Sequence, residues 1–189
     1  MDGVFGGQKV KRLTNGTSSG FTLIEVAMVA LVIGLIAAVA LPTGTNTMAA
    51  RVDSAAAEVA AAVRFARDES NRTGDSYGVR QQNGANRFRV FRLDGAGTPI
   101  YDVYHPMAKQ LWDIDFDTAP HFRDLTINRT MSWRGSCNKD GNIAFRDGGT
   151  PGCTDPTTAL LDQGVLTLSL DNISRDVVID GFTGRVWIQ

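Results

Sequence analysis

Hydrophobic and polar positions divide this chain into three regimes. From Phe21 to Leu41 an apolar run of 21 positions holds a single charge, Glu25. As an α-helix that run would be roughly 31 Å long, enough to cross the hydrocarbon core of a bilayer. From Met48 to Arg72 the pattern turns amphipathic. Val52, Ala56, Val59, Val63 and Ala66 recur at helical spacing, while Arg51, Asp53, Glu58, Arg64, Arg67, Asp68 and Glu69 mostly take the other faces. Thr73-Gly74 supplies a stop. Pro42 and Gly44, between the two segments, mark a kink in one long helix; an anchor followed by an independent domain helix would differ only around residues 42–47.

Beyond Gly74 the period falls to two. Strands are predicted over Tyr77–Gln81, Arg87–Leu93, Ile100–Tyr104, Leu111–Phe116, Leu125–Trp133, Asn142–Arg146, Val165–Leu170, Arg175–Ile179 and Arg185–Ile188. Asn83-Gly84 and Gly95-Ala96-Gly97 punctuate the early ones, and Gly181-Phe182 or Thr183-Gly184 turns the last hairpin. A long helix followed by many short strands predicts an α+β fold, with an amphipathic helix packed on antiparallel sheet.

Residues 1–20 read as a leader: polar, Gly/Ser/Thr-rich, with Lys9, Lys11 and Arg12 ahead of the apolar run. Those charges favour a cytoplasmic N-terminus and place everything after Leu41 on the opposite side. Ala37-Ala38-Val39-Ala40 leaves a cleaved signal peptide open, and an unprocessed anchor is the other alternative. A carboxylate near the end of a membrane helix costs a few kcal/mol and needs a partner, unless it sits alone at the headgroups.

Gly20 followed by Phe-Thr-Leu-Ile-Glu, an apolar helix and Pro42 closely resembles the N-terminus of type IV pilins and type II secretion pseudopilins. The resemblance implies cleavage by a prepilin peptidase between Gly20 and Phe21, N-methylation of Phe21, and a mature chain of 169 residues. It also implies that Glu25 neutralises the terminal amine of a neighbouring subunit, with Glu25 and Pro42 both belonging to filament assembly. The domains expected are a leader over 1–20, a transmembrane and filament-core helix over 21–41, its amphipathic continuation over 42–74, and a periplasmic β-rich domain over 75–189. The partners implied are other pilins or pseudopilins in a helical filament, the peptidase, an inner-membrane assembly platform and membrane lipid. The location implied is the bacterial inner membrane, single-pass, followed by the filament.

Cys137 and Cys153 both fall on the non-cytoplasmic side, where disulfides persist. A bridge between them would contribute on the order of 3 kcal/mol through chain entropy. Free thiols or a metal pair are the alternatives, and no Cys-x-x-Cys or nearby His favours metal. No Gly-x-Ser-x-Gly, Walker loop, His-Glu-x-x-His or dinucleotide fingerprint occurs, and neither His105 nor His121 adjoins a nucleophile, so no enzyme and no cofactor is expected. Asp113, Asp115, Asp117 and Asp124 echo a calcium loop, but Thr118 replaces its turn glycine and Trp112–Phe116 alternates like a strand. No metal site is expected.

Asn142–Pro151, Gly164–Leu168, Val177–Ile179 and Thr183–Val186 are similar, in that order, to segments of GspH/FimT-type minor pilins, with Arg146 where an acidic residue is commoner. Some members of that family capture DNA through a C-terminal Gly-Arg-x-Arg. Here the segment reads Gly184-Arg185-Val186-Trp187, so Arg185 matches and Trp187 replaces the second arginine. A base could stack on an exposed Trp187, although a strand tryptophan more often belongs to a core. Arg87, Arg89 and Arg92 offer a basic stripe. Against nucleic acid stands the net charge, −1 for the whole sequence and about −3 once the leader's net +2 is removed. The reading is a non-enzymatic minor pilin or pseudopilin, with DNA uptake as the alternative.

Overall fold

A computed structural model describes residues 20–40, 44–82, 84–139, 141–155 and 158–189; for 38–40, 44–46 and 147 it describes the backbone only. Most of the expected leader, and Pro42 with the expected kink, lie outside these residues. The chain divides into two units, Met1–Pro42 and Thr43–Gln189.

The first unit contributes helix α1, Leu23–Ala40. Every described side chain from Gly20 to Ala37 is exposed. Among the described residues no helix is long and apolar enough to cross a membrane; the residues that complete the 21-residue run, 38–41, fall outside the described side chains.

The second unit opens with α2, Gly44–Thr73. It starts four residues before the expected Met48, through Gly44, Thr45, Asn46 and Thr47. Gly74 ends it at φ +78, donating its N–H to the Ser70 carbonyl at 2.9 Å; only glycine takes that conformation without strain. Val52, Ala55, Ala56, Val59, Ala60, Ala62, Val63 and Ala66 are fully buried on one face. With alanine at most of these positions, the helix axis can lie close to the sheet.

The strands are β1 Tyr77–Gln81, β2 Arg87–Leu93, β3 Pro99–Ile100, β4 Asp113–Asp115, β5 Thr126–Arg134, β6 Asn142–Arg146, β7 Thr150–Cys153, β8 Leu160–Leu170, β9 Ile173–Asp180 and β10 Val186–Ile188. All pairings are antiparallel. One layer runs β7-β6-β1-β2, with β3 and β4 on the far side of β2; the other runs β5-β8-β9-β10. They join where Gly152 pairs with Leu160. Phe88, Val90, Ile143, Phe145, Leu166, Leu168, Val177 and Ile179 face α2, forming one core with it.

The expected α+β class is the observed one, and β1, β2 and β6 span the residues that alternation indicated. Three expectations need correction. The strand expected over Ile100–Tyr104 is a strand only at Pro99–Ile100, with a separate bridge from Tyr104 to Leu111, because Asp102 turns out to meet Arg92 and Val103 bonds the Trp112 N–H instead (2.8 Å). The strand expected from Val165 begins at Leu160, since β5 pairs with Leu160, Leu161 and Gln163 across an irregularity that skips Asp162. The last is β7, which was not expected at all, because Pro151 and Gly152 argue against a strand. Pro151 is tolerated opposite Phe145 because β7 is short and only its end, at Gly152, meets a second strand.

Candidate functional site

The N-terminal segment places its polar atoms on themselves. The Thr22 N–H and hydroxyl both donate to Glu25 Oε2 at 3.1 Å, and the Glu25 N–H donates back to Thr22 Oγ1 at 3.3 Å. This is a reciprocal capping box, Thr-x-x-Glu, in which the side chains satisfy donors left open at a helix start. The carboxylate also lies at the positive end of the helix dipole. Glu25 therefore has an intramolecular partner before any neighbour arrives. The role of Thr22 was legible as a sequence signature, and reading Glu25 only as an intermolecular contact missed it.

Around that cap the helix is apolar on all sides. Phe21, Leu23, Met28 and Leu31 are each exposed by about two thirds or more. A helix of this kind is stable only when something apolar surrounds it. Gly20 and Phe21 precede the helix and are exposed.

In the second unit Cys137 and Cys153 form a disulfide, with Cα atoms 5.8 Å apart. The two glycine-bearing segments of the C-terminal half come together against α2. A Cβ on Gly184 would sit 2.5 Å from the Gly149 carbonyl oxygen, and one on Gly149 would sit 3.0 Å from Arg67 Nε. Both glycines have positive φ, +72 at Gly149 and +63 at Gly184. Arg67, from α2, thus lies against two turns that no larger residue could form, and Arg64 Nη2 donates to the Val186 carbonyl beside them (3.1 Å). Sequence reasoning located both segments but not their meeting.

The final hairpin is organised by Asp180, whose Oδ1 accepts from the Phe182 N–H (3.1 Å), the Thr183 N–H (2.7 Å) and the Thr183 hydroxyl (2.7 Å). The hydroxyl and amide of Thr183 hold that carboxyl below the ordinary aspartate range. Arg185 is exposed, with its own N–H donating to Thr183 Oγ1. Trp187 is not a core residue, contrary to the more usual fate of a strand tryptophan: it stands on the outer face opposite Val178, 37 % exposed. The Phe182 ring is covered by Arg134, 3.8 Å from guanidinium carbon to centroid.

The arginines of the possible basic stripe all have carboxylate partners. Arg87 donates to Asp113 Oδ1 at 2.6 Å, Arg89 Nε lies 3.7 Å from the same oxygen, and Arg92 makes a bidentate contact with Asp102. The Asp102 carboxylate raises Arg92 above its ordinary value, chiefly by hydrogen bonding. The calcium-like aspartates are used locally too. Asp113 serves the arginines, Asp115 Oδ1 accepts the Asp117 N–H (3.0 Å), and Asp117 Oδ1 accepts from Asn86 (3.0 Å). Among the described residues no His, Cys, Asp and Glu cluster is placed to hold a metal ion. His105 is structural: Nδ1 accepts the N–H groups of Met107 and Ala108, and Nε2 lies 3.4 Å from Glu58, which also accepts from Trp112. The His121 side chain is exposed.

Compared by sequence, the chain matches no protein-family model and no curated protein. Solved structures similar to it include the type IV minor pilin FimU of Pseudomonas aeruginosa (17 % identity, 73 % of this chain and 87 % of that one, TM-score 0.47). They also include the minor pseudopilin EpsH from the type 2 secretion system of Vibrio cholerae (10 % identity, 74 % of this chain and 96 % of that one, TM-score 0.53). With its helix packed on two joined antiparallel layers, the chain shares the fold of that minor pseudopilin.

Proposed function

We propose that this chain is a minor pilin or pseudopilin: a non-enzymatic structural subunit, cut between Gly20 and Phe21, N-methylated on Phe21, and assembled into a helical filament. The observation that carries the proposal is α1, apolar on every side and opening on a capped carboxylate. Such a surface has two suitable environments, a bilayer and a bundle of identical helices, and a subunit of this kind passes from the first to the second. The likeness in fold to a pseudopilin adds support, and the Gly-Phe-Thr-Leu-Ile-Glu signature supplies the processing site.

In this mechanism the apolar residues of 21–41 anchor the subunit in the inner membrane, with the second unit periplasmic. In the filament they pack against neighbouring helices. Glu25, already accepting from Thr22, offers its carboxylate to the terminal amine of an adjacent Phe21; a buried charge is tolerable when paired. The disulfide and the Asp180 turn keep the second unit in one shape through extraction. The same subunit type serves a type II secretion pseudopilus or a type IV pilus. The DNA-capture alternative draws less support, because Arg87, Arg89 and Arg92 are paired with Asp113 and Asp102, which leaves Arg185 and Trp187 of the residues the resemblance and the basic stripe suggest for it.

The test is Glu25→Val in cells that assemble the filament. Mass spectrometry of the N-terminus should find N-methyl-Phe21 in both wild type and variant, while cross-linked incorporation falls about a hundredfold or more, as loss of one partner of a buried charge pair predicts. Wild-type incorporation of the variant, or a mature terminus elsewhere than Phe21, would overturn the proposal.

A further inference from the structure

Most ion-pairing arginines of the second unit sit on carboxylates: Arg72 on Glu69, Arg87 and Arg89 on Asp113, Arg92 on Asp102, Arg134 on Asp162 and Arg175 on Asp53. Arg80 and Lys139 are among the cations outside these pairs, and they line the same cleft. Arg80 Nη1 donates to the Tyr101 hydroxyl at 2.7 Å, and no carboxylate of the described residues pairs with it. Lys139 is exposed and has no side-chain partner among the described residues.

Both cations face one cleft of about 460 Å³. Its floor is the outer face of β1 and β6, where Arg80 stands directly across from Asn142. Asn142 is 5 % exposed and donates to Thr154 Oγ1, itself 8 % exposed, at 3.2 Å. One wall is the Ala96–Pro99 segment, fixed because Asp94 Oδ1 accepts from the Ala96 and Thr98 N–H groups at 2.9 and 2.7 Å. The opposite wall, Lys139 with Asp155, is pinned by the Cys137–Cys153 disulfide and by the Asn138 N–H donating to the Asp155 carbonyl at 2.8 Å. A smaller recess of about 140 Å³ adjoins it and shares Arg80, Lys139 and Asn142.

Among the described residues the cleft therefore combines a fixed frame, two cations, an amide, a hydroxyl and a carboxylate, at a size that suits one or two sugar rings rather than a duplex. Guanidinium and ammonium groups select an oxyanion; Asn, Thr and Asp side chains select neighbouring hydroxyls. We propose that this cleft binds a small acidic sugar, a polyol carrying a carboxylate or a phosphate, with the oxyanion between Arg80 and Lys139 and the hydroxyls on Asn142, Thr154 and Asp155. The proposal does not depend on filament assembly.

Titration calorimetry on the full-length chain in detergent micelles, disulfide intact and at constant ionic strength, tests it with glucuronate, glucose 6-phosphate and glucose. At least one acidic sugar should bind in the millimolar range or tighter, with glucose about tenfold weaker or more. Arg80→Gln and Lys139→Gln should each weaken the acidic sugar about tenfold, the usual cost of a lost charge-assisted hydrogen bond. The preferred acidic sugar identifies carboxylate or phosphate as the source of the oxyanion. Lys139→Gln alters only an exposed side chain, so an unchanged melting temperature keeps that arm readable even if Arg80→Gln fails to fold. No heat with either acidic sugar, equal affinity for glucose, or wild-type affinity in Lys139→Gln would each overturn the assignment.

Discussion

Asp180 illustrates how much one side chain carries at the residue scale. Three donors converge on its Oδ1 and fix the turn that presents Arg185 and Trp187. Its folded pKa is depressed, so its contribution is complete above the ordinary aspartate range and is lost as pH falls through the folded value. Asp180→Ala should lower the melting temperature at neutral pH by about 2–4 °C, the shift expected of roughly one lost hydrogen bond in a chain of this size. The difference between variant and wild type should shrink in acid. A gap that stays constant with pH would mean that the carboxylate's charge is not what holds the turn. The same scale shows which residue roles a sequence reveals. Thr22 and Glu25 stand at capping-box spacing, three apart, so their bond was readable in advance. Arg67 was not: its place between Gly149 and Gly184 depends on two turns more than thirty residues apart in sequence meeting over one helix.

Helix α2 decides stability at the element scale. Its buried face is chiefly alanine, and the sheet lies against it closely enough that Ala55, Ala56, Ala60, Ala62 and Ala66 are fully buried. Enlarging such a position forces either helix or strands to shift. Ala62→Leu should cost about 1–3 kcal/mol, whereas Ala61→Leu, on the exposed side, should change little. Urea unfolding checks this as a lower midpoint at unchanged slope for the first and a matching midpoint for the second. The helical stripe was legible because valine and alanine keep strict helical spacing. Strand β2 was legible because buried Phe88 and Val90 alternate with Arg87 and Arg89, whereas β6 is buried on both faces up to Arg146. By contrast β7 hides behind Pro151-Gly152, and the first half of β8 behind Asp162-Gln163-Gly164, because neighbouring strands, not local preference, hold those residues extended.

For the whole molecule, the division of burial between the two units makes a prediction about what each needs from its surroundings. The core consists of residues from Val52 onward, closed between α2 and the two joined layers and cross-linked at Cys137–Cys153. None of its members comes from residues 20–37, which are exposed throughout. A fragment of residues 44–189 keeps every group that excludes water from the core, and loses only surface that water solvates poorly. It should therefore be a soluble monomer by size-exclusion chromatography and unfold in one cooperative transition. The full chain should require detergent or lipid to remain dispersed and should show that same transition once solubilised, because the described side chains of 20–37 are exposed. A fragment without a cooperative transition would mean that α1 completes the fold; a full chain that stays monomeric without detergent would mean that its apolar helix finds cover within the molecule. Either result would remove the reason for assigning α1 to a bilayer and a filament core, since that assignment rests on the helix having no partner of its own.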